Sequence, residues 1–307
     1  MSQTSYAPLN ARSRGIRLLL GLLFSSGIAL IAYRRRSLDK SGVAGAIASG
    51  TSIFGMGGWS WGLSLIYFFV SSSLLSHFRQ RDKASAAADK FSKGSRRDLT
   101  QAAANGGLAT LFAIIYGLAR SPRTRRLAQA GFTGALATAN ADTWATELGV
   151  LSASKPRLIT TGRLVAPGTS GGITLLGTAA SSLGAGSLGF FFWAWKGFRK
   201  SPAPAPFIAL ISGMAGGFFD SLLGATLQAM YYCPVCETET ERRIHRCGTP
   251  TQPLRGIAWM NNDAVNFLAT ACGSAVAMGL VYPFQLRCSY CQRANLLSIH
   301  LPTTGSR

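Results

Sequence analysis

The sequence predicts an all-α, polytopic integral membrane protein: a helical bundle of about six to eight transmembrane helices. Three observations predict it. Hydrophobic residues fill 48% of the 307 positions and charged residues only 14%, where ordinary soluble domains carry about 25% charged residues. Mean hydropathy is positive, at +0.22. The apolar residues also fall into runs of the length that crosses a bilayer core, separated by short polar or basic segments.

The runs follow in order after a polar N-terminal tail, 1–17. Leu18–Tyr33 is the first span, stopped by Arg34–Arg36. Val43–Gly57 is rich in Gly and Ala, a composition that packs against other helices rather than lipid. Trp59–Ser76 is the third, and a polar loop, 79–98, follows it. Gln101–Leu118, Gln129–Leu151, Ser170–Trp195 and Phe207–Met230 come next, then a Cys-rich polar loop, 231–256. Asp263–Phe284 closes the membrane domain, 18–286, and 287–307 form a C-terminal tail.

Basic residues outnumber acidic ones by 31 to 11, a net charge of +20. They cluster between apolar runs, as loops facing anionic headgroups do. No basic helix face or recognition module accompanies them, so membrane lipid rather than nucleic acid is the expected partner. Eight spans would put loops 34–40, 79–98, 152–165 and 231–256 on one side. Those four hold more than half of the basic residues, which makes that side cytoplasmic by the positive-inside rule.

The scarce acids carry the functional signal. Asp142, Glu147, Asp220 and Asp263 lie in or beside apolar runs, where an ionised side chain costs at least about 2.5 kcal/mol. Each needs a partner, an aqueous cavity or a cation; a plain helix-to-helix polar contact is the blander reading. In helical spacing Asn140, Thr143 and Glu147 share one face, with Asp142 and Thr146 beside it. Such a set suits a hard cation such as Mg²⁺, or general-base work on a hydroxyl or phosphate.

Lys155, Arg157 and Arg163 follow, then the glycine-rich turn Gly168, Thr169, Ser170, Gly171 and Gly172 ahead of an apolar run. Glycines let backbone N–H groups approach an anion, and a helix N-terminus adds its dipole. The Walker-A pattern is absent, and taken alone the turn is equally a loop with a cap. On the next polar face Gly213, Gly217, Asp220, Gly224 and Gln228 recur at three- and four-residue spacing, and Asn262 and Asn266 lie one turn apart beside Asp263.

Together, Asn140–Gly149, Lys155–Thr161, Gly168–Gly177, Asp220–Gln228 and Asn262–Asn266 resemble the transmembrane protein 19 family (domain of unknown function 92). The early Ser37–Gly42 segment matches the family's Ser-Leu-x-x-Ser-Gly motif, and the resemblance covers about residues 15–285. A plant branch of that family is a phytyl-phosphate kinase, which makes phytyl diphosphate from phytyl phosphate and a nucleoside triphosphate; many other members have no assigned activity. The chain departs from the pattern where Leu74–His77 stand in place of a Lys or Thr-Lys pair, and where Ser170 stands for Asn. These departures bear on the substrate more than on the fold.

The resemblance implies a kinase-like membrane protein that transfers a phosphoryl group from a nucleoside triphosphate to a prenyl or phytyl phosphate or alcohol. In that reading Asp142, Glu147 and Asp220 or Asp263 hold Mg²⁺. Lys155, Arg157 and Arg163 neutralise charge, the Gly168–Gly172 turn holds a phosphate, and the isoprenoid tail lies between small-faced helices. The alternative is a multi-pass transporter or lipid-handling protein without kinase activity, which would use the same polar residues as a pathway. Plant relatives suggest a plastid envelope, but the N-terminal segment is poor as a transit peptide, so the endoplasmic reticulum is the expected membrane.

Cys233, Cys236, His245 and Cys247 offer four ligands within 15 residues, a donor set suited to structural zinc. A disulfide or free thiols are the alternatives. Cys288 and Cys291 could instead complete a Cys₄ site with Cys233 and Cys236, if the last apolar run re-entered the membrane rather than crossing it.

Overall fold

The computed structural model describes residues 11–87, 90, 96–195 and 205–298, with side chains for all of these except 11–12, 84–87 and 283–298. Nine helices run through the described residues: α1 Ala11–Arg34, α2 Lys40–Ser52, α3 Trp59–His77, α4 Gln80–Ala87, α5 Leu99–Leu118, α6 Pro122–Gly149, α7 Leu175–Trp195, α8 Ala205–Thr226 and α9 Asn262–Ser298. The strands are short. β1 (Arg157–Leu158) pairs antiparallel with β2 (Gly172–Ile173). β3 (Met230–Cys233) lies between β4 (Thr238–Thr240) and β5 (Gln252–Arg255) in an antiparallel sheet.

Local chemistry sets the helix starts. Asp39 accepts the Gly42 N–H to open α2. Asp98 and Gln101 exchange side-chain and backbone hydrogen bonds in a capping box on α5, which satisfies two donors that the first turn leaves unpaired. Ser121 caps α6 with Pro122 in its first turn, where a missing N–H costs nothing.

Among the described residues five helices are long and apolar enough to cross a membrane: Ser13–Arg34, Leu99–Leu118, Leu175–Trp195, Ala205–Thr226 and Asn262–Tyr282. The chain is therefore an integral, multi-pass helical membrane protein, and the expected six to eight spans run above this count. The difference lies in three segments. α2 is only 13 residues and passes into a π-helical turn, Ile53–Gly57, before Gly58 breaks the helix. Serines dilute α3. α6 is polar in composition because other helices, not lipid, surround it.

α6 is the centre of the bundle and packs on α3, α5, α7, α8 and α9. Residues 130–141 are buried without interruption, and nine of the twelve are Ala, Gly or Thr. Small residues let backbones approach closely: a Cβ on Gly134 would strike the Gly273 carbonyl, and one on Gly216 would strike Thr138. Trp61, Phe132 and Phe192 stack at one end of this core, with ring centroids 4.2 and 5.7 Å apart for successive pairs through Phe132. The other side of the molecule is oily, with Leu19, Leu23 and Ile31 of α1 among the exposed side chains.

The polar connections gather at the opposite end. Leu38 bridges Arg97, Lys90 reaches Thr238 at 2.9 Å, Arg255 reaches the Ser170 carbonyl, and Thr100 donates to Asp263. The 34–40, 79–98 and 231–256 loops therefore meet, and the turn before α7, whose β2 pairs with β1 of the 152–165 loop, joins them. The boundaries differ in detail. Helix α1 starts inside the expected 1–17 tail, α4 occupies part of the 79–98 loop, the 231–256 loop folds as the three-stranded sheet, and the α9 backbone stays helical through the start of the expected 287–307 tail.

Candidate functional site

A cleft of about 290 Å³ opens among these loops and the adjoining ends of α5, α6, α7, α8 and α9. Asp142, Thr143 and Glu147 line it from α6, Asp220 from α8, and Asn262 and Asn266 from α9. Gly168, Thr169, Gly171 and Gly172 line it from the turn before α7. Segments more than a hundred residues apart thus share one polar wall.

Two carboxylates, Asp142 and Asp220, line the cleft from different helices. Asp142 and Glu241 lie within electrostatic reach of Asp220, and the Asp220 Oδ2 atom is buried without a protein hydrogen-bond partner. Acids so placed in a low-dielectric site call for a cation, and an all-oxygen wall with room for water suits Mg²⁺. Glu147 is differently engaged: Ser76 donates to Oε1, and Lys83 Nζ lies 2.5 Å from Oε2.

The glycine-rich turn is built on the end of α8. Gly168 and Gly171 have φ of 77° and 82°, a region that side chains avoid; a Cβ on Gly171 would also collide with Ala225. Ser170 donates to Gln228 Oε1 at 2.5 Å, and Gln228 Nε2 donates to Glu241 at 2.9 Å. Arg255 pairs with Glu239 at 2.9 Å and donates to the Gly224 carbonyl at 2.6 Å. Gln228 and Arg255 thereby tie the turn to the Cys-rich sheet, which delivers Glu241 to the cleft. α7 begins only at Leu175, capped by Thr174, whose Oγ1 accepts the Gly177 N–H at 2.9 Å.

Sequence reasoning missed the cation of the cleft, Arg97. The Ser37–Gly42 segment clamps its backbone: Arg97 N–H donates to the Ser37 carbonyl at 3.0 Å, and Asp39 N–H donates to the Arg97 carbonyl at 3.1 Å. Burial lowers the Arg97 pKa from its ordinary value while Glu147 opposes the shift. Gln101 and Asn105, one turn apart on α5, join it in the cleft. Two amides at that spacing inside an apolar run were the available signal.

Other expected residues stand elsewhere. Lys155, Arg157 and Arg163 are exposed and do not line the cleft; Arg157 instead donates to the Gly162 carbonyl at 2.9 Å, closing its own hairpin. Asn140 is fully buried between helices, donating to the Gly184 carbonyl and accepting from Ser71. Asp263 accepts from Thr100 beside the start of α9. Gln228 is a buried linker rather than a wall residue.

Cys233, Cys236, His245 and Cys247 present ligand atoms that all lie within 4.8 Å of one another. None of the three cysteines is disulfide-bonded. The Cys233 and Cys247 sulfurs are 3.7 Å apart, close to the roughly 3.8 Å edge of a tetrahedron with zinc–sulfur bonds of about 2.3 Å. The Thr249 hydroxyl and the His245 ring lower the Cys247 thiol to about 6, while its neighbours Cys247 and Cys233 raise Cys236 to about 11. The donors fit zinc. Cys288 and Cys291 lie outside the residues whose side chains are described.

The comparisons with known proteins agree with the architecture. Protein PGR of Arabidopsis thaliana is 32% identical over 273 residues, covering 82% of this chain and 92% of that protein. An uncharacterized membrane protein of Methanocaldococcus jannaschii is 32% identical over 269 residues, covering 87% and 95%. Protein VTE6, chloroplastic, of Arabidopsis thaliana is 26% identical over 263 residues, covering 84% and 68%. No solved structure matches. The integral membrane protein family DUF92 matches residues 23–274, and the chain belongs to that family.

Proposed function

We propose that this protein is a membrane-embedded kinase that moves a phosphoryl group from a nucleoside triphosphate to a prenyl or phytyl phosphate or alcohol. The observation that carries the reading is the convergence of the carboxylates Asp142 and Asp220, the Gly168–Gly172 turn and Arg97 on one cleft. Phosphoryl transfer asks a protein mainly for positioning and charge stabilisation, and these groups supply both. Asp142 and Asp220, with Glu241 nearby, would hold Mg²⁺, whose charge supplies neutralisation for phosphate oxygens. The turn would offer the backbone N–H groups it does not spend internally, Thr169 and Gly172 donating to the Ala166 and Thr169 carbonyls, and Arg97 would add a planar set of donors matched to a phosphate. Asn262 and Asn266 add neutral donors on the far wall.

Zinc at Cys233, Cys236, His245 and Cys247 belongs to the same proposal as a structural ion. It would brace the sheet that carries Glu241 and Arg255. The endoplasmic reticulum, rather than the plastid envelope, goes with the proposal as the compartment, and a fluorescently tagged chain scored against markers of both membranes tests it.

The deciding experiment offers purified protein Mg²⁺, labelled CTP or ATP, and phytyl, farnesyl or geranylgeranyl monophosphate or the alcohols. Label in a lipid product, lost on Asp142→Asn, supports the reading. Absence of transfer from folded, monodisperse protein across this panel sinks it.

A further inference from the structure

A second hollow adjoins the polar cleft, and its chemistry is the opposite. It measures about 90 Å³ and lies between α1, α2, α3 and α5, with walls that include Ile28, Ala46, Phe69 and Gly106. The two hollows share three residues: Arg97, Gln101 and Asn105. Arg97 is the hinge between them. Its guanidinium carbon lies 5.7 and 5.9 Å from the ring centres of Phe68 and Phe69, on the floor of the apolar side. Among the described residues it meets no carboxylate within ion-pair distance. A cation half-buried against aromatic rings at the edge of a polar cleft, with Glu147 acting on it but not paired to it, leaves room for a further anion.

Gly106 shows that the hollow is real space. The residue is buried, yet a Cβ built on it would meet nothing within 4 Å. Interiors are normally packed to near-crystalline density, so a buried glycine facing open volume marks a cavity that the protein leaves free of its own side chains. The small residues Gly45, Ala46 and Gly50 of α2 extend the same wall.

We infer that this apolar hollow is the seat of the substrate's isoprenoid tail, and that Arg97, Gln101 and Asn105 grip the phosphate where tail and head meet. The inference rests on the kinase reading for the identity of the head group, and it deepens that reading by fixing how the acceptor lies. An amphiphile with an anionic head and a slender apolar chain fits both hollows at once. The volume, about 90 Å³, takes the head-proximal part of the chain, with the remainder running out along the helices. A bare phosphate or a nucleotide would leave the apolar side unused.

The test measures binding in lipid nanodiscs with three probes: geranylgeranyl monophosphate, methyl monophosphate as the short, tail-less phosphate, and geranylgeraniol. The native protein should hold the long-chain phosphate at least about tenfold more tightly than the short one, each referred to its concentration in the nanodisc lipid. Gly106→Leu should weaken the long-chain phosphate by about tenfold or more and leave methyl monophosphate, which reaches the cleft without entering the hollow, unaffected. Should Gly106→Leu lower the melting temperature, Ala46→Leu fills the same hollow from α2. Arg97→Gln should weaken both phosphates by about tenfold or more while leaving the alcohol unchanged, with partial recovery in Arg97→Lys.

Equal affinity for both chain lengths overturns the inference, as does native-like binding in folded Gly106→Leu and Ala46→Leu. Complete displacement of the prenyl phosphate by the surrounding phospholipid also overturns it. The two readings separate cleanly. Chain-length-dependent binding without transfer to any acceptor retires the kinase and keeps the tail seat; transfer with a KM indifferent to chain length and to Gly106→Leu does the reverse.

Discussion

The carbonyl oxygen of Arg97 lies against the bare α-carbon of Gly42, in the volume a side chain there would need. Ser37 and Asp39 hold the same peptide from the other side, and the Ser41 hydroxyl accepts the Leu99 N–H at 3.1 Å. A six-residue motif between α1 and α2 thus exists to seat one arginine at the mouth of α5.

Gly42→Ala should displace that arginine. The atom it meets is backbone, so the clash cannot be relieved by rotating a side chain, and such overpacking costs about 1–3 kcal/mol. The expected outcome is a lower melting temperature together with weaker binding of a prenyl phosphate. Unchanged stability and binding would show that the clamp is slack.

Asp142→Asn and Asp220→Asn should each lower phosphoryl transfer by at least about a hundredfold, the scale of losing one aimed electrostatic group. Neither should lower the melting temperature, because each removes one of two like charges that the same cleft holds. Transfer rates and thermal unfolding of the same preparations decide the matter; a fall in stability matching the fall in rate would argue that these acids hold the bundle together instead.

Lys83 and Glu147 should behave as a coupled pair. Lys83 Nζ also donates to the Leu75 carbonyl near the end of α3, and both side chains are largely enclosed, at 11% and 22% exposure. Lys83→Met should cost about 1–3 kcal/mol, the loss of a buried partner discounted for partial exposure. In Lys83→Met with Glu147→Gln the combined cost should be smaller than the sum. Additive effects in a double-mutant cycle would show no coupling.

The Cys-rich loop should hold about one zinc per chain by elemental analysis, in keeping with one four-ligand site, and Cys236→Ser or a chelator should remove it and lower the melting temperature. In chelated protein, Cys247 should be alkylated with a midpoint near pH 6. The sign is that of a depressed thiol: its contribution to stability is complete above the ordinary value of 9.0 and is lost as pH falls through about 6. A midpoint at the ordinary thiol value would mean that Thr249 and His245 do not act on it.

The sequence alone determined the helical membrane class and the family, and it named ten of the residues that line the cleft. Asp142, Glu147, Asp220, Asn262 and Asn266 announce themselves because polar groups are costly and rare inside apolar runs. The clustering of Cys233, Cys236, His245 and Cys247 was legible for a similar reason, since ligand spacing within one loop is local. Tertiary structure decided what depends on which ends meet. It put Lys155, Arg157 and Arg163 in solvent, because their hairpin folds on itself, and it turned Asn140 and Gln228 to holding helices and loop together. It made polar α6 the centre of the bundle, since a helix surrounded by protein needs small residues rather than oily ones. It also brought Arg97 from a basic loop to the cleft. Nothing in its neighbours sets Arg97 apart from Arg96; the difference is made by Ser37–Gly42, some sixty residues earlier in the chain, through backbone hydrogen bonds that side-chain patterning does not encode.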